Sequence, residues 1–386
     1  MFTAAATFAL LGAGGLVTSR GVGMAVPDWP NTFGYNMFFF PFSQWVGGVF
    51  YEHTHRLLAS GVGLCTTILA LWLHGKSARR FLRWAGVALL VVGISTAAAT
   101  PAHWRDAIVV LLTGIAALAA SFVWPRCEPA QPWLRFLGII AFLAVVLQGV
   151  LGGLRVVLFK DEIGIFHATL AQLFFVLMCA LALFTSSWWA RTASSRQAPS
   201  SLAWLCVWTS LLILAQLILG ATMRHQHAGL AIPDFPLAYG KLWPAMDPQS
   251  VARYNQQRLE VVDLNPITST QIVLQMAHRL VAFFIFSATA YCAWFAQRRL
   301  GGRHIAARLA LAWPGLISVQ VLLGAATIWS NKAADIATGH VLVGALSLAL
   351  GAMLSLVVVR ETAFAPQPAR GQSPAFSPIH AVENHG

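Results

Sequence analysis

The chain has 386 residues, of which 58% are hydrophobic and only 10% are charged; soluble domains carry about 25% charged residues. That balance excludes a single water-soluble core. The formal charge of +12 does not indicate a nucleic-acid surface, because the basic residues fall in short clusters between apolar runs.

The first apolar stretch, 2–18, begins almost at the first residue with no basic segment ahead of it. It is read as a membrane helix rather than a removed signal. Further runs of bilayer-crossing length follow at 54–73, 82–99, 107–124, 134–155, 165–187, 202–221, 276–297, 306–328 and 338–359. Ten spans are therefore expected. Two long connectors, 19–52 and 222–274, separate some of them, and a Ser-rich stretch lies at Thr192–Ser201. The end, 361–386, is rich in Pro, Ala, Gln and Ser and is expected to be a disordered tail. The basic clusters around Lys76–Arg83, Arg126–Arg135, Arg191–Arg196 and Arg298–Arg308 all fall on one side of the ten-span layout. The positive-inside rule makes that side cytoplasmic, with both termini, and puts both long connectors outside. The five cysteines, Cys65, Cys127, Cys179, Cys206 and Cys292, show no disulfide or zinc spacing and are assigned no chemistry.

The halves repeat each other. GVGMAVPDWPNTFG (21–34) parallels QHAGLAIPDFPLAYG (226–240), with Pro27, Asp28, Pro30 and Gly34 matching Pro233, Asp234, Pro236 and Gly240 at one constant offset. His55-Arg56 matches His278-Arg279, QGVLGG (148–153) matches QVLLGA (320–325), and His167 matches His340; QLILGA (216–221) is a third relative of that phrase. The longer interval between His55 and His167 fits a surplus pair of helices, about 82–124, which leaves His167 entering from the same side. The expected fold is an all-α integral membrane protein. It is built from two parallel-repeated four-helix bundles, with two helices inserted in the first. The expected divisions are 1–187, a cytoplasmic linker 188–201, a second half 202–360, and the tail.

His55, His167, His278 and His340 each lie near the start of a helix entering from outside. A lone histidine there would be read as a helix-packing hydrogen bond. Four in repeated frames are read as two pairs, each able to hold a haem iron between facing imidazoles. Arg56 and Arg279 follow two of them, either as charges beside haem propionates or as side chains snorkelling to headgroups. Glu52 precedes His55 by one helical turn, whereas the second copy has Gln275. A carboxylate beside one site only suggests chemistry in the first half and electron transfer in the second. The paired prolines and the Asp of PDWP and PDFP are read as structural turns capping each pocket. His53, with a different helical angle, ranks below Glu52 and His55. His225 and His227 are read as a surface pair near the second cap. His74, His103, His304, His380 and His385 are read as solvated or interfacial.

Taken together, the E-x-x-H-R phrase (Glu52, His55, Arg56), the PDWP and PDFP loops, the Q-x-x-LG helices and the two later histidines resemble the haem A synthase family. The resemblance spans most of the chain apart from the inserted helices and the tail. It implies a duplicated four-helix-bundle enzyme that oxidises the C8 methyl of haem O to a formyl through hydroxylated intermediates. It implies that His55 and His167, with Arg56, hold substrate haem O, that His278 and His340, with Arg279, hold a haem b cofactor, and that Glu52 is the catalytic carboxylate. It further implies a bacterial cytoplasmic membrane location with the haem sites towards the outer side. Beside lipid, the partners to consider are the farnesyltransferase that makes haem O, a membrane electron acceptor and a second copy of the chain; nucleic acid is not among them. Many bacterial relatives carry a Cys pair in the first outer loop, and residues 19–52 contain none. The competing readings are a two-haem, quinol-oxidising electron-transfer cytochrome and a haem carrier.

Overall fold

The computed structural model describes residues 1–100, 104–191, 198–257 and 266–363. In chain order the helices are α1 (Phe2–Ser19), α2 (Gly47–Leu73), α3 (Ala78–Ala99), α4 (Trp104–Val123), α5 (Pro132–Leu158), α6 (Asp161–Phe184), α7 (Ser187–Arg191), α8 (Ser200–His225), α9 (Pro248–Gln256), α10 (Ser269–Leu300), α11 (Ile305–Trp329) and α12 (Ala334–Ala363). There is no named strand among the described residues. Ten of the helices, all but α7 and α9, are long and apolar enough to cross a bilayer. The protein is thus an all-α, multi-pass membrane protein. Helices suit that solvent because they satisfy their own backbone hydrogen bonds.

Most span boundaries fall within about one helical turn of the expected ones, and two starts differ by seven residues. Helix α2 starts at Gly47 rather than 54, and α10 at Ser269 rather than 276. In both, the first turns carry polar residues, so hydropathy alone places the start too late. For α10 a sequence signal was present: Thr268 and Gln271 form a reciprocal capping box. Glu52 and Gln275 therefore sit inside helices, not in the connectors. Of the expected linker 188–201, residues 188–191 belong to α7 and 200–201 to α8, while 192–197 lie outside the described residues, as does almost all of the expected tail, 364–386. Residues 361–363 belong to α12.

Helices α1, α2, α5 and α6 pack in a ring, each on the next, and α8, α10, α11 and α12 form a second ring. The rings meet along a seam where α12 packs on α1 and α6, and α6 packs on α8. Burial follows from this: 56% of the apolar window of α12 is buried, against 17–39% in the other nine spans. The second ring closes on Trp313, fully buried, whose indole N–H donates to Ser347 O at 3.0 Å. Helices α3 and α4 pack chiefly on each other. Their base is tied to the first ring where Lys76 N donates to Cys127 O and Ala130 N donates to Leu73 O, each at 2.9 Å.

Trp313 fits because Gly351 has no side chain. A Cβ there would lie 2.6 Å from Ser210 Oγ and 3.0 Å from Trp313 Cε2. Gly351→Val is expected to destabilise the second ring by about 1–3 kcal/mol through overpacking. Thermal unfolding in detergent checks this, and an unchanged melting temperature would contradict the packing.

Candidate functional site

The four histidines share one local construction. Each projects from an early turn of its helix, α2, α6, α10 or α12, and presses its ring edge on a glycine of the neighbouring helix. A Cβ on Gly14, Gly152, Gly220 or Gly324 would lie 2.9, 3.3, 3.2 or 3.1 Å from Cε1 of His55, His167, His278 or His340 respectively. Any larger residue would have to displace the imidazole. Four residues before three of these glycines stands a glutamine. Gln148 Nε2 donates to His167 O at 3.1 Å and Gln216 Nε2 donates to His278 O at 2.8 Å. Gln320 uses its backbone: its carbonyl accepts from His340 Nδ1 at 3.0 Å, leaving Nε2 as the ring's basic nitrogen. In α1 the corresponding position is Leu10, so His55 has no such strut.

All four rings line one cavity of about 1200 Å³. The rings of His278 and His340 are 6.5 Å apart, centroid to centroid. An imidazole nitrogen bonds a transition metal at about 2.0–2.1 Å, so two rings flanking one metal set their centroids roughly 6 Å apart. Among the described residues no group of three or more His, Cys, Asp or Glu could hold a bare metal ion. Paired imidazoles in a large apolar cavity instead suit a metal that brings its own in-plane ligands. Nδ1 of His55, His167 and His278 is buried without a hydrogen-bond partner. These features fit a metallo-tetrapyrrole better than histidines retained for helix packing, which would carry partnered nitrogens.

Over the cavity lie two loops of the same design. Asp28 accepts from Phe33 N and Gly34 N at 2.8 and 2.7 Å, and Asp234 accepts from Tyr239 N and Gly240 N at 2.7 and 2.8 Å. Each Asp thereby holds a left-handed pair, with φ 49° and 76° in the first loop and 52° and 71° in the second. The Trp29–Pro30 and Phe235–Pro236 bonds are both cis. The turn reading of these loops thus has an atomic basis, and Trp29, Pro30 and Phe235 line the cavity.

Glu52 is 4% exposed and Gln275 is 2% exposed. They pin their loops at matching points. Glu52 Oε2 accepts from Val26 N at 2.8 Å, and Gln275 Oε1 accepts from Ile232 N at 2.7 Å. Gln275 then donates its amide to Ile232 O at 3.3 Å. A carboxylate cannot do this, and in the first half Arg56 supplies the donor, bonding Val26 O at 2.9 Å and Glu52 Oε1 at 2.7 Å. One amide in the second half is thus replaced by an ion pair in the first. Arg56 also donates to Asp28 O and Asn31 O at 2.7 and 3.0 Å. Arg279 donates to Asp234 O and Leu237 O at 2.7 and 2.8 Å. Neither arginine simply snorkels; both anchor the loops.

The other histidines separate. His53 is fully buried on the loop side, 3.2 Å from Thr32 Oγ1 and packed on the rings of Phe40 and Trp45. His225 lines the cavity and lies against Gly164 of α6, whereas His227, its expected surface partner, occupies a left-handed turn residue at φ 54°. His304 is not solvated as expected: its side chain is 14% exposed and 3.5 Å from Glu361. His74 bonds Ala70 O at 2.8 Å. His103, His380 and His385 lie outside the described residues. The sequence reading missed Arg155 and Arg224, both lining the cavity. The signal was available, since an arginine inside an apolar helix is costly and marks a polar partner.

Asp28→Ala removes both bonds to the left-handed pair. Amide exchange at Phe33 and Gly34 is expected to speed up by about tenfold or more; exchange at the native rate would show that Asp28 does not hold the loop.

The cytochrome oxidase assembly protein family (COX15-CtaA) matches residues 105–352. The chain is similar to the Heme A synthase of Beijerinckia indica subsp. indica, 30% identical over 244 residues, covering 58% of this chain and 62% of that protein. It is 31% identical over 260 residues to the Heme A synthase of Rhizorhabdus wittichii, covering 62% and 66%. With the Heme A synthase of Bartonella tribocorum it shares 23% over 230 residues, covering 58% and 61%. In each case the match spans less than two thirds of the relative's length. The family match begins after α3, so Glu52 and His55 rest on the geometry rather than on that match.

Proposed function

The chain belongs to the cytochrome oxidase assembly protein family COX15-CtaA, and from that premise we propose that it is a haem A synthase, oxidising the C8 methyl of haem O to a formyl group through hydroxylated intermediates. The observation that carries this reading is a cavity lined by four glycine-backed histidines, in which Glu52 is the one carboxylate among the described lining residues. In this reading His55 and His167 bind the substrate haem O, and His278 and His340 bind a haem b. When bound there, haem b would supply a redox centre beside the substrate site. Basic clusters on the opposite side of the spans support a cytoplasmic location for both termini and an outward-facing site in a bacterial cytoplasmic membrane.

The protein's own groups have definable tasks. Arg56 and Arg279 hold the loops closed and exclude water from the apolar cavity. Each oxidation stage passes two electrons to a membrane electron acceptor and releases two protons, one from the substrate carbon and one from the water that supplies the oxygen. Glu52 Oε2 is fixed by Val26 N and Oε1 by Arg56. A carboxylate so held can accept a proton or stabilise positive charge developing at the methyl. Gln275 can do neither, which supports an electron-transfer role for the second half.

A second reading has its own observation. Glu52 with Arg56 makes the same two bonds to Val26 that Gln275 makes to Ile232, so the carboxylate has a purely structural task as well. If that were its whole task, the protein would be a two-haem electron-transfer cytochrome. Glu52→Gln separates the two, because an amide keeps the bond to Val26 N but removes the charge. The test is extraction and chromatography of haems from cells that also make haem O. Haem A is expected with the wild type; with Glu52→Gln its formation falls by about 10²–10⁴-fold, and haem O or a hydroxylated form accumulates. Haem A at the wild-type level in Glu52→Gln would reduce Glu52 to a loop pin. Haem B alone in both strains would leave the cytochrome.

His278→Ala and His340→Ala are each expected to remove the haem b while sparing the first site, lowering bound haem by about half. A pyridine haemochrome assay on purified protein checks this, and wild-type haem content in both variants would refute the ligand assignment.

A further inference from the structure

Among the described residues the cavity is lined by Arg56, Arg155, Arg224, Arg279 and Lys332 but by one acid, Glu52, which Arg56 neutralises. Arg56 commits four N–H contacts to Glu52 and the loop carbonyls of Val26, Asp28 and Asn31. It has little left for a ligand. Two other arginines are placed differently. Arg155, near the end of α5, makes no hydrogen bond or ion pair among the described residues, and its Nε is buried without an acceptor. Its guanidinium lies against Gly23, where a Cβ would be 3.1 Å from Nη1. Arg224, at the end of α8, directs Nη2 to Gly15 O and Ser19 Oγ at 2.8 and 2.6 Å, tying the second ring to α1. Both guanidiniums line the same cavity, within electrostatic reach of each other. Arg155 is also within reach of His55 and His167, and Arg224 of His340.

Two permanent cations held together in an apolar cavity repel each other, and neither has a carboxylate counter-ion among the described residues. Such a pair is tolerated when an anion completes it. Guanidinium forks suit carboxylates. We propose that Arg155 and Arg224 form a shared carboxylate-binding station at the seam, receiving the acidic side chains of the tetrapyrroles held in the two rings. This rests on the haem reading above and deepens it. The sequence reading offered Arg56 and Arg279 as charges beside the propionates, with snorkelling as the alternative; the station assigns the propionates to arginines not recognised from the motifs. With both tetrapyrroles bound, the station would also set the side of the cavity on which their acidic side chains are held.

The test reads haem binding rather than turnover. Purified holoprotein is mixed with excess apomyoglobin and haem transfer is followed by absorbance, for wild type, Arg155→Gln and Arg155→Lys. Arg155 is the informative position, because its removal breaks no hydrogen bond within the described protein. Arg155→Gln is expected to release haem about ten- to a hundredfold faster, with Arg155→Lys in between. Protein stripped of haem is also reloaded with haem B or its dimethyl ester. The wild type is expected to favour the free acid by a similar factor, and Arg155→Gln to lose that preference. If Arg155→Gln does not fold, the acid-to-ester ratio of Arg155→Lys decides the matter. Native release together with an undiminished preference in Arg155→Gln would overturn the proposal. So would the absence of any acid-over-ester preference in the wild type, which would leave a lipid phosphate as the anion. Failure of the haem reading itself looks different: wild type without haem, or haem retained after both His55→Ala and His278→Ala, removes the pockets and this station with them.

Discussion

A polar side chain inside a bilayer must find its partner within the protein, and the architecture of this chain follows from that constraint. Four imidazoles are carried into the apolar region. Each is seated on a glycine of the adjacent helix, which brings the two helices together at the depth where the ring is needed. The ring closures α1–α2, α5–α6, α8–α10 and α11–α12 are made at these contacts. Substituting any of the four glycines would move a histidine and a helix at once. Site and scaffold are therefore one piece of packing.

The two rings then diverge by a small exchange of groups. Both loops need a donor and an acceptor at Val26 or Ile232. Gln275 supplies both from a single amide, and the first ring divides them between Glu52 and Arg56. The loop is held equally in either case. The difference is that the first ring retains a carboxylate, paired with Arg56, at the cavity wall. A structural pin has been built from ingredients that can also take part in acid–base chemistry.

Much of this was legible in the sequence. The ten spans stand out because lipid demands long uninterrupted apolar runs, and the helix pairs follow from that count. His55, His167, His278 and His340 were found through their repeated frames, and all four line the cavity. The starts of α2 and α10 were missed because a helix entering the cavity carries its polar residues in its first turns. Arg155 and Arg224 escaped because neither sits in a repeated phrase that announces a role. What gives them one is their shared place on the cavity wall, from the ends of α5 and α8, a tertiary fact. The matching contacts of Glu52 and Gln275 were equally hidden, since their partners are backbone atoms of distant loops.

The attachment of the α3–α4 hairpin has a consequence for how such a chain can change. Lys76 bonds Cys127 and Leu73 bonds Ala130, so the chain leaves and rejoins the first ring at almost the same place. The intervening helices form an excursion whose two ends are already stitched together. Because the excursion crosses and returns, every later helix keeps its direction, and none of the four histidines changes sides. An insertion of this kind is silent with respect to topology. It can lengthen, diversify or disappear while the ring beneath it stays closed, making it the part of the molecule where descent can experiment without disturbing the site.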